Sequence, residues 1–282
     1  MKVLVTGSRG MLGTDLVRVL AASHEVEGWD VEELDITSRN QVLSRVGSLA
    51  PQVVINAAAY TDVDASEREE RLCFRINAEG VENLALACRE HGARLVHVST
   101  DYVYDGQKGS AYVEDDVPHP LGVYGRSKLE GEERARSLLP GVCIVRTAWL
   151  YGRAGRNFVK AILSQARAGK TLRVVSDQEG SPTYTVDLAR ALVQAAEQRL
   201  AGIYHVTNRG KCTWFAYARH ILDLEGMKGI PVVPINTQEL DRPAPRPANS
   251  VLSCSRFEAA SGMSMRAWQE ALREYLAEEG KP

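Results

Sequence analysis

The chain opens with Val3-Leu4-Val5-Thr6 running straight into Gly7-Ser8-Arg9-Gly10-Met11-Leu12-Gly13, and no other stretch restricts the fold as much. Three glycines at three-residue spacing stand between an apolar strand and a helical stretch, and each has its own use. Gly7 permits the tight turn, Gly10 lets the main chain approach a pyrophosphate, and Gly13 lets the helix pack close to the sheet. Free N–H groups and the positive end of the helix would then hold the anion. The loop predicts a dinucleotide site. Asp30, seventeen residues after Gly13, ends a second strand and puts a carboxylate where an adenosine ribose diol is held, which favours NAD. Arg9, inside the loop, instead suits a 2′-phosphate. The two signals conflict, so either NADH or NADPH is expected.

Further strand-like runs follow at 25–29, 53–55, 95–98 and 143–145. Helical stretches alternate with them at 11–22, at 38–48 with Ser38 as cap, at 66–91 and from Tyr124 onward. Continuous β-branched runs joined by helices predict a parallel sheet covered on both faces, an α/β fold of the Rossmann-type, doubly wound kind. Past residue 150 the pattern loosens, with short strands at 172–175 and 202–205, helices at 185–200, 213–224 and 266–279, and a proline-rich extended surface segment at 231–247. A dinucleotide-binding domain over 1–150 is expected beside a smaller, mainly substrate-binding domain over 151–282, with some pieces interleaved.

Composition narrows the function classes. Hydrophobic residues make up 44% and charged residues 25%, the balance of a globular chain. A formal net charge of −2 offers no basic field for a nucleic-acid backbone. No apolar run approaches the roughly 20 residues that cross a bilayer, and the first residues lack signal-peptide parts, so no membrane partner and a cytoplasmic setting are expected. Five scattered cysteines have neither metal-ligand spacing nor the look of a disulfide framework.

Tyr124 and Lys128 stand four apart, on one face of a helix. A lysine cation beside a phenol eases loss of a proton whose ordinary pKa is about 10, and Lys128 can also hold a nicotinamide ribose. Thr100 closes the fourth strand at the carboxyl edge, where open α/β sheets bind ligands, and its hydroxyl can hydrogen-bond a carbonyl oxygen. Thr100, Tyr124 and Lys128 together read as the catalytic set of a hydride-transferring oxidoreductase.

These features resemble the extended short-chain dehydrogenase/reductase superfamily, and within it the dTDP-4-dehydrorhamnose reductases. Asn56-Ala57-Ala58-Ala59-Tyr60-Thr61-Asp62-Val63-Asp64 is similar to an N-A-A-A-x-T-x-V-D signature, and Arg146-Thr147-Ala148-Trp149-Leu150-Tyr151-Gly152 to R-T-x-W-x-Y-G. Ser99 to Gly106, Val123 to Leu129, Asp177 to Thr183 and Arg246 to Ser250 match as well, so the resemblance spans nearly the whole chain. It implies reduction of dTDP-4-dehydro-β-L-rhamnose at C4 to dTDP-β-L-rhamnose. Hydride would come from NAD(P)H and the proton from Tyr124, with Thr100 polarising the ketone oxygen. It also implies a cofactor site lined by Gly7, Gly10, Met11, Leu12, Gly13, Asp30, Asp35, Ile36, Ala57, Ala58, Ala59, Tyr60 and Thr61. Thr61, Val63, Asp101, Tyr102, Val103 and Trp149 would lie near the sugar, and Arg242 and Arg246 are candidates for the substrate diphosphate. Some relatives carry magnesium at a dimer contact. Asp15 and Asp187 stand at the matching positions, but their reach is shorter than glutamate's, so no metal is expected and a homodimer stays open. The alternatives are a reductase or epimerase of another nucleotide-linked 4-keto-6-deoxy sugar, or a non-catalytic NAD(P)-binding regulatory subunit.

Overall fold

The computed structural model describes residues 1–279; residues 280–282, the end of the second expected domain, lie outside it. Strand β1 (Lys2–Thr6) pairs with β2 (Glu25–Trp29) on one side and β3 (Val53–Asn56) on the other. Outward from β3 follow β4 (Arg94–Thr100), β5 (Cys143–Thr147) and the strand Gly202–His205, all parallel. The sheet is the doubly wound one that the alternating pattern predicts. Because the chain leaves β1 for one side and returns to β3 on the other, a crevice opens at their carboxyl ends.

Alternate strand residues face opposite ways, and both faces are covered. Val3, Val5, Val53 and Ile55 pack with Leu12 and Leu16 of α1 (Met11–Leu20) and with Leu188 and Leu192 of the helix Thr185–Glu197. Leu4, Val54, Leu95 and Ile144 pack on the other face with Val42 and Val46 of α2 (Arg39–Leu49). A second core, rich in aromatic residues, gathers Tyr151, Tyr184, Tyr217, Trp268 and Tyr275 around Ile162 and Leu172. Among the described residues no helix is long and apolar enough to cross a membrane.

Three local expectations are corrected. The stretch 66–91 is not one helix but α3 (Val63–Ser66), α4 (Glu70–Phe74), a π-helical turn Arg75–Glu79 and α5 (Gly80–His91). The widened turn lets buried Asn77 bond Tyr60 through both its N–H and its carbonyl, at 2.9 and 3.0 Å, which anchors the loop after β3. The proline-rich segment is not merely extended surface: Val232–Ile235 pairs in parallel with Leu172–Val175, and its proline is tolerated because this two-stranded ribbon leaves an edge unpaired. Ser38 stands at the start of α2, yet its side chain makes no capping bond.

Candidate active site

A cleft of about 770 Å3 opens along the carboxyl ends of β1, β3, β4 and β5. The residues singled out above for cofactor and substrate line it, except Tyr60, Val103, Arg242 and Arg246. The Tyr60 hydroxyl reaches Glu69 at 3.0 Å instead. Val103 is buried against Tyr104, Tyr112 and Leu252. Arg242 and Arg246 both pair with Asp64, at 2.8 and 3.0 Å.

The glycine loop is shaped by contact. Gly7 has φ +71°, and a Cβ there would lie 2.6 Å from the Ala58 nitrogen. A Cβ on Gly13 would lie 2.0 Å from the Gly7 carbonyl oxygen, so α1 begins hard against its own loop. A Cβ on Gly10 would meet only that oxygen, at 3.1 Å, and would otherwise project into open space. Gly10 is also the residue before α1 and supplies no side-chain cap, so the first N–H groups of the helix remain for an anion. These residues fit a dinucleotide diphosphate. Asp30 accepts the Arg9 and Val31 N–H groups, one on each oxygen, which fixes its carboxylate and keeps a lone pair on each for a ribose hydroxyl. The Arg9 guanidinium is held by Glu32 and, at 2.9 Å, by Glu33. That bond, with the Asp30 N–H, pulls the Glu33 carboxyl down to about 2.

Tyr124 lies in the first turn of α6 (Val123–Leu138) and meets Tyr102 edge-on at 5.6 Å. Gly125 makes this approach possible, since a Cβ there would come within 2.2 Å of the Tyr102 carbonyl oxygen. Lys128 is buried and donates to the Val98 carbonyl at 2.7 Å, with His97 Nε2 at 3.5 Å. The expected acidic phenol is corrected here. Desolvation by packed neighbours raises Tyr124 well above its ordinary pKa, with the Thr100 hydroxyl pulling the other way. Burial likewise pushes Lys128 down to about 8, against the pull of Glu132. The phenol therefore rests protonated, the state a proton donor needs.

Thr100 accepts the Tyr102 N–H at 3.1 Å and gives its own hydrogen to Asp101 at 3.0 Å. Burial pushes the Asp101 carboxyl up to about 6 from 3.8, although the Ser250 and Thr100 hydroxyls oppose it. The sign follows from proton linkage. Between those two values the folded chain binds more protons than the unfolded chain, so stability falls as pH rises through the interval. The ionised carboxylate then costs about 3 kcal/mol at neutral pH. Asp101→Asn is expected to melt higher than wild type at pH 7.5, by roughly 5 °C, with the gap closing near pH 4. Calorimetric scans at the two pH values check this, and an equal gap at both would rule out ionisation as its source.

Thr147 escaped the reading of the sequence. It pairs with Thr100 across β4 and β5, lines the cleft, and its buried hydroxyl finds no hydrogen-bond partner among the described residues. Its signals in the sequence are its place at the end of a strand and the fixed threonine of the R-T-x-W-x-Y-G stretch, neither of which by itself gives it a role in the site. Asp15 accepts from Thr185 and pairs with Arg18, while Asp187 holds Asn208, Arg266 and Arg190. Arginine thus compensates both acids, and no cluster of metal-ligating side chains occurs among the described residues.

The family described as RmlD substrate binding domain matches residues 1–280. A dTDP-4-dehydrorhamnose reductase of Aggregatibacter actinomycetemcomitans is 41% identical, with 98% of each chain covered. A probable dTDP-4,6-dihydroxy-2-methyloxan-3-one 4-ketoreductase of Streptomyces antibioticus is 40% identical over 97% of this chain and 94% of its own. Among solved structures, a dTDP-4-dehydrorhamnose reductase of Bacillus anthracis in complex with NADP superposes with a TM-score of 0.95 at 38% identity, covering 98% of this chain and 99% of that one.

Proposed function

Because the chain belongs to the RmlD substrate binding domain family, the family of the dTDP-4-dehydrorhamnose reductases, we propose that it reduces the C4 ketone of dTDP-4-dehydro-β-L-rhamnose to give dTDP-β-L-rhamnose. The chain is an NAD(P)-dependent oxidoreductase. The observation that carries the finer reading is one cleft with an uncapped helix end at one side and a protonated Tyr124 beside Thr100 at the other.

Bound in the cleft, NADH or NADPH supplies hydride to the ketone carbon. Gly7, Gly10 and Gly13 make room for its diphosphate, and Asp30 receives a ribose hydroxyl. Tyr124 gives its hydrogen to the ketone oxygen, which becomes the C4 hydroxyl, and Tyr124 is left as a phenolate. Lys128, in its ammonium form, lowers the energy of that phenolate. Thr100 orients the ketone oxygen once its hydroxyl turns from Asp101, and Thr147 stands beside it to meet a sugar hydroxyl. Trp149, stacked on Trp214 at 3.5 Å, offers an apolar wall to the sugar.

The test is a spectrophotometric assay of reduced-cofactor loss, run with the keto-sugar and with each cofactor. One cofactor should be oxidised per sugar reduced. NADH should serve better, because Arg9 is already engaged by Glu32 and Glu33 and is not free for a 2′-phosphate. Conversion of sugar with no net cofactor loss would favour an epimerase instead.

A further inference from the structure

Three neighbouring strands carry a polar side chain at one level on one face of the sheet. Thr6, Asn56 and His97 pair in register across β1, β3 and β4, and all three are buried on the face covered by α2 and α5. Their hydrogen bonds leave a single arrangement. The Ala58 N–H can only donate, and it reaches Asn56 Oδ1 at 3.0 Å; the Thr6 hydroxyl donates to the same oxygen at 2.7 Å. The amide is thereby oriented, and its nitrogen, also a pure donor, faces His97 Nδ1 at 3.0 Å. A ring nitrogen that accepts carries no hydrogen, so neutral His97 holds its hydrogen on Nε2. That nitrogen faces Lys128 Nζ at 3.5 Å.

An ammonium has no lone pair, so Nε2–H against it sets donor against donor. A neutral amine has one lone pair and can accept. We infer that Asn56 and His97 are positioning residues that act through Lys128, enforcing a ring tautomer that favours its neutral amine over its ammonium. The other groups around Nζ are accounted for. The Val98 carbonyl takes one hydrogen, Glu132 lies one turn further along α6 and favours the charged form, Cys73 on α4 acts weakly the same way, and Tyr124 lies one turn before. Burial works in the same direction as the tautomer: burial alone brings Lys128 down to about 8, and burial with the Lys128 charge holds His97 well below its ordinary value, as a neutral imidazole requires. Lys128 is then a cation that can be switched near physiological pH rather than a permanent one. Its charge is favoured when the Tyr124 phenolate forms and disfavoured otherwise.

The inference rests on the role given to Lys128 above, but its first test does not. In protein labelled with 15N-histidine, without sugar or cofactor, the His97 resonances should show a hydrogen on Nε2 and a bare Nδ1 between about pH 6 and 9. A hydrogen on Nδ1, alone or in an imidazolium, overturns the inference. The second test uses Asn56→Asp, which offers Nδ1 an acceptor, moves the ring hydrogen to Nδ1 and turns a lone pair of Nε2 toward Lys128. The alkaline limb of kcat/KM against pH should then move up by about one unit, a ten-fold gain in the proton affinity of Lys128. A purely structural role for Asn56 would lower kcat/KM evenly across pH. A switched ring with an unmoved limb breaks the link to Lys128. The wild-type spectrum decides the tautomer whether or not the variant folds.

Discussion

Replacing Tyr124 with Phe is expected to lower kcat by about a thousand-fold and to leave NADH binding within about two-fold of wild type. The ring keeps its place at the start of α6 and its edge contact with Tyr102, so the cleft retains its shape. Only the hydroxyl is lost, and no neighbour replaces it. Thr100 gives its hydrogen to Asp101, and Lys128 gives one to the Val98 carbonyl. Rapid-mixing kinetics with the keto-sugar and a fluorescence titration with NADH separate the two effects. Turnover within about ten-fold of wild type would take the donor role away from Tyr124.

The second large effect concerns stability. Glu132 and Arg146 are both 1% exposed, and the guanidinium contacts both carboxylate oxygens, at 2.6 Å in the shortest contact. Ser99 donates to the same carboxylate, and Arg146 also donates to the Tyr104 hydroxyl, which in turn meets His205. Removing one partner strands a buried charge. Glu132→Ala should therefore destabilise the fold by about 3–5 kcal/mol, which lowers the melting temperature by roughly 10 °C. Removing both charges together, as Glu132→Leu with Arg146→Met, should recover most of that loss, because the uncompensated guanidinium goes with it. Denaturant titrations of the single and double variants measure the difference. A double variant as unstable as Glu132→Ala would mean that packing of the long side chains, not charge, is what the pair contributes. The network also reaches the site: Ser99 precedes Thr100, and Glu132 lies one turn beyond Lys128. The single variant should therefore loosen the cleft floor as well as the fold.

Much of this was legible in consecutive residues. The strand–glycine–helix opening follows from backbone sterics within a dozen residues, and Gly7 and Gly13 stand where contact at 2.6 and 2.0 Å excludes a side chain. The pairing of Tyr124 with Lys128 follows from helix period, and the parallel sheet from apolar runs too continuous for a sheet with a wet face. Thr147 was legible as a motif residue but not as a site residue, because its place in the cleft comes from register with Thr100 rather than from its neighbours in the chain. The π-helical turn at Arg75–Glu79 was hidden because its buried Asn77 is held by Tyr60, seventeen residues away, and nothing in the five residues themselves marks the wider turn.

Proton positions lay furthest from the sequence. Residue order alone suggested a phenol made acidic by a lysine, and the folded chain reverses it, because burial acts on both groups and opposes charge on each. The hydrogen on His97 depends on an amide 41 positions away, itself oriented by a hydroxyl a further 50 positions distant. The amino-acid order thus determined the scaffold, the phosphate loop and which side chains are available for chemistry, since these rest on local sterics and periodicity. The charge each side chain carries was decided only in three dimensions, where desolvation and hydrogen bonds come from strands far apart in the chain.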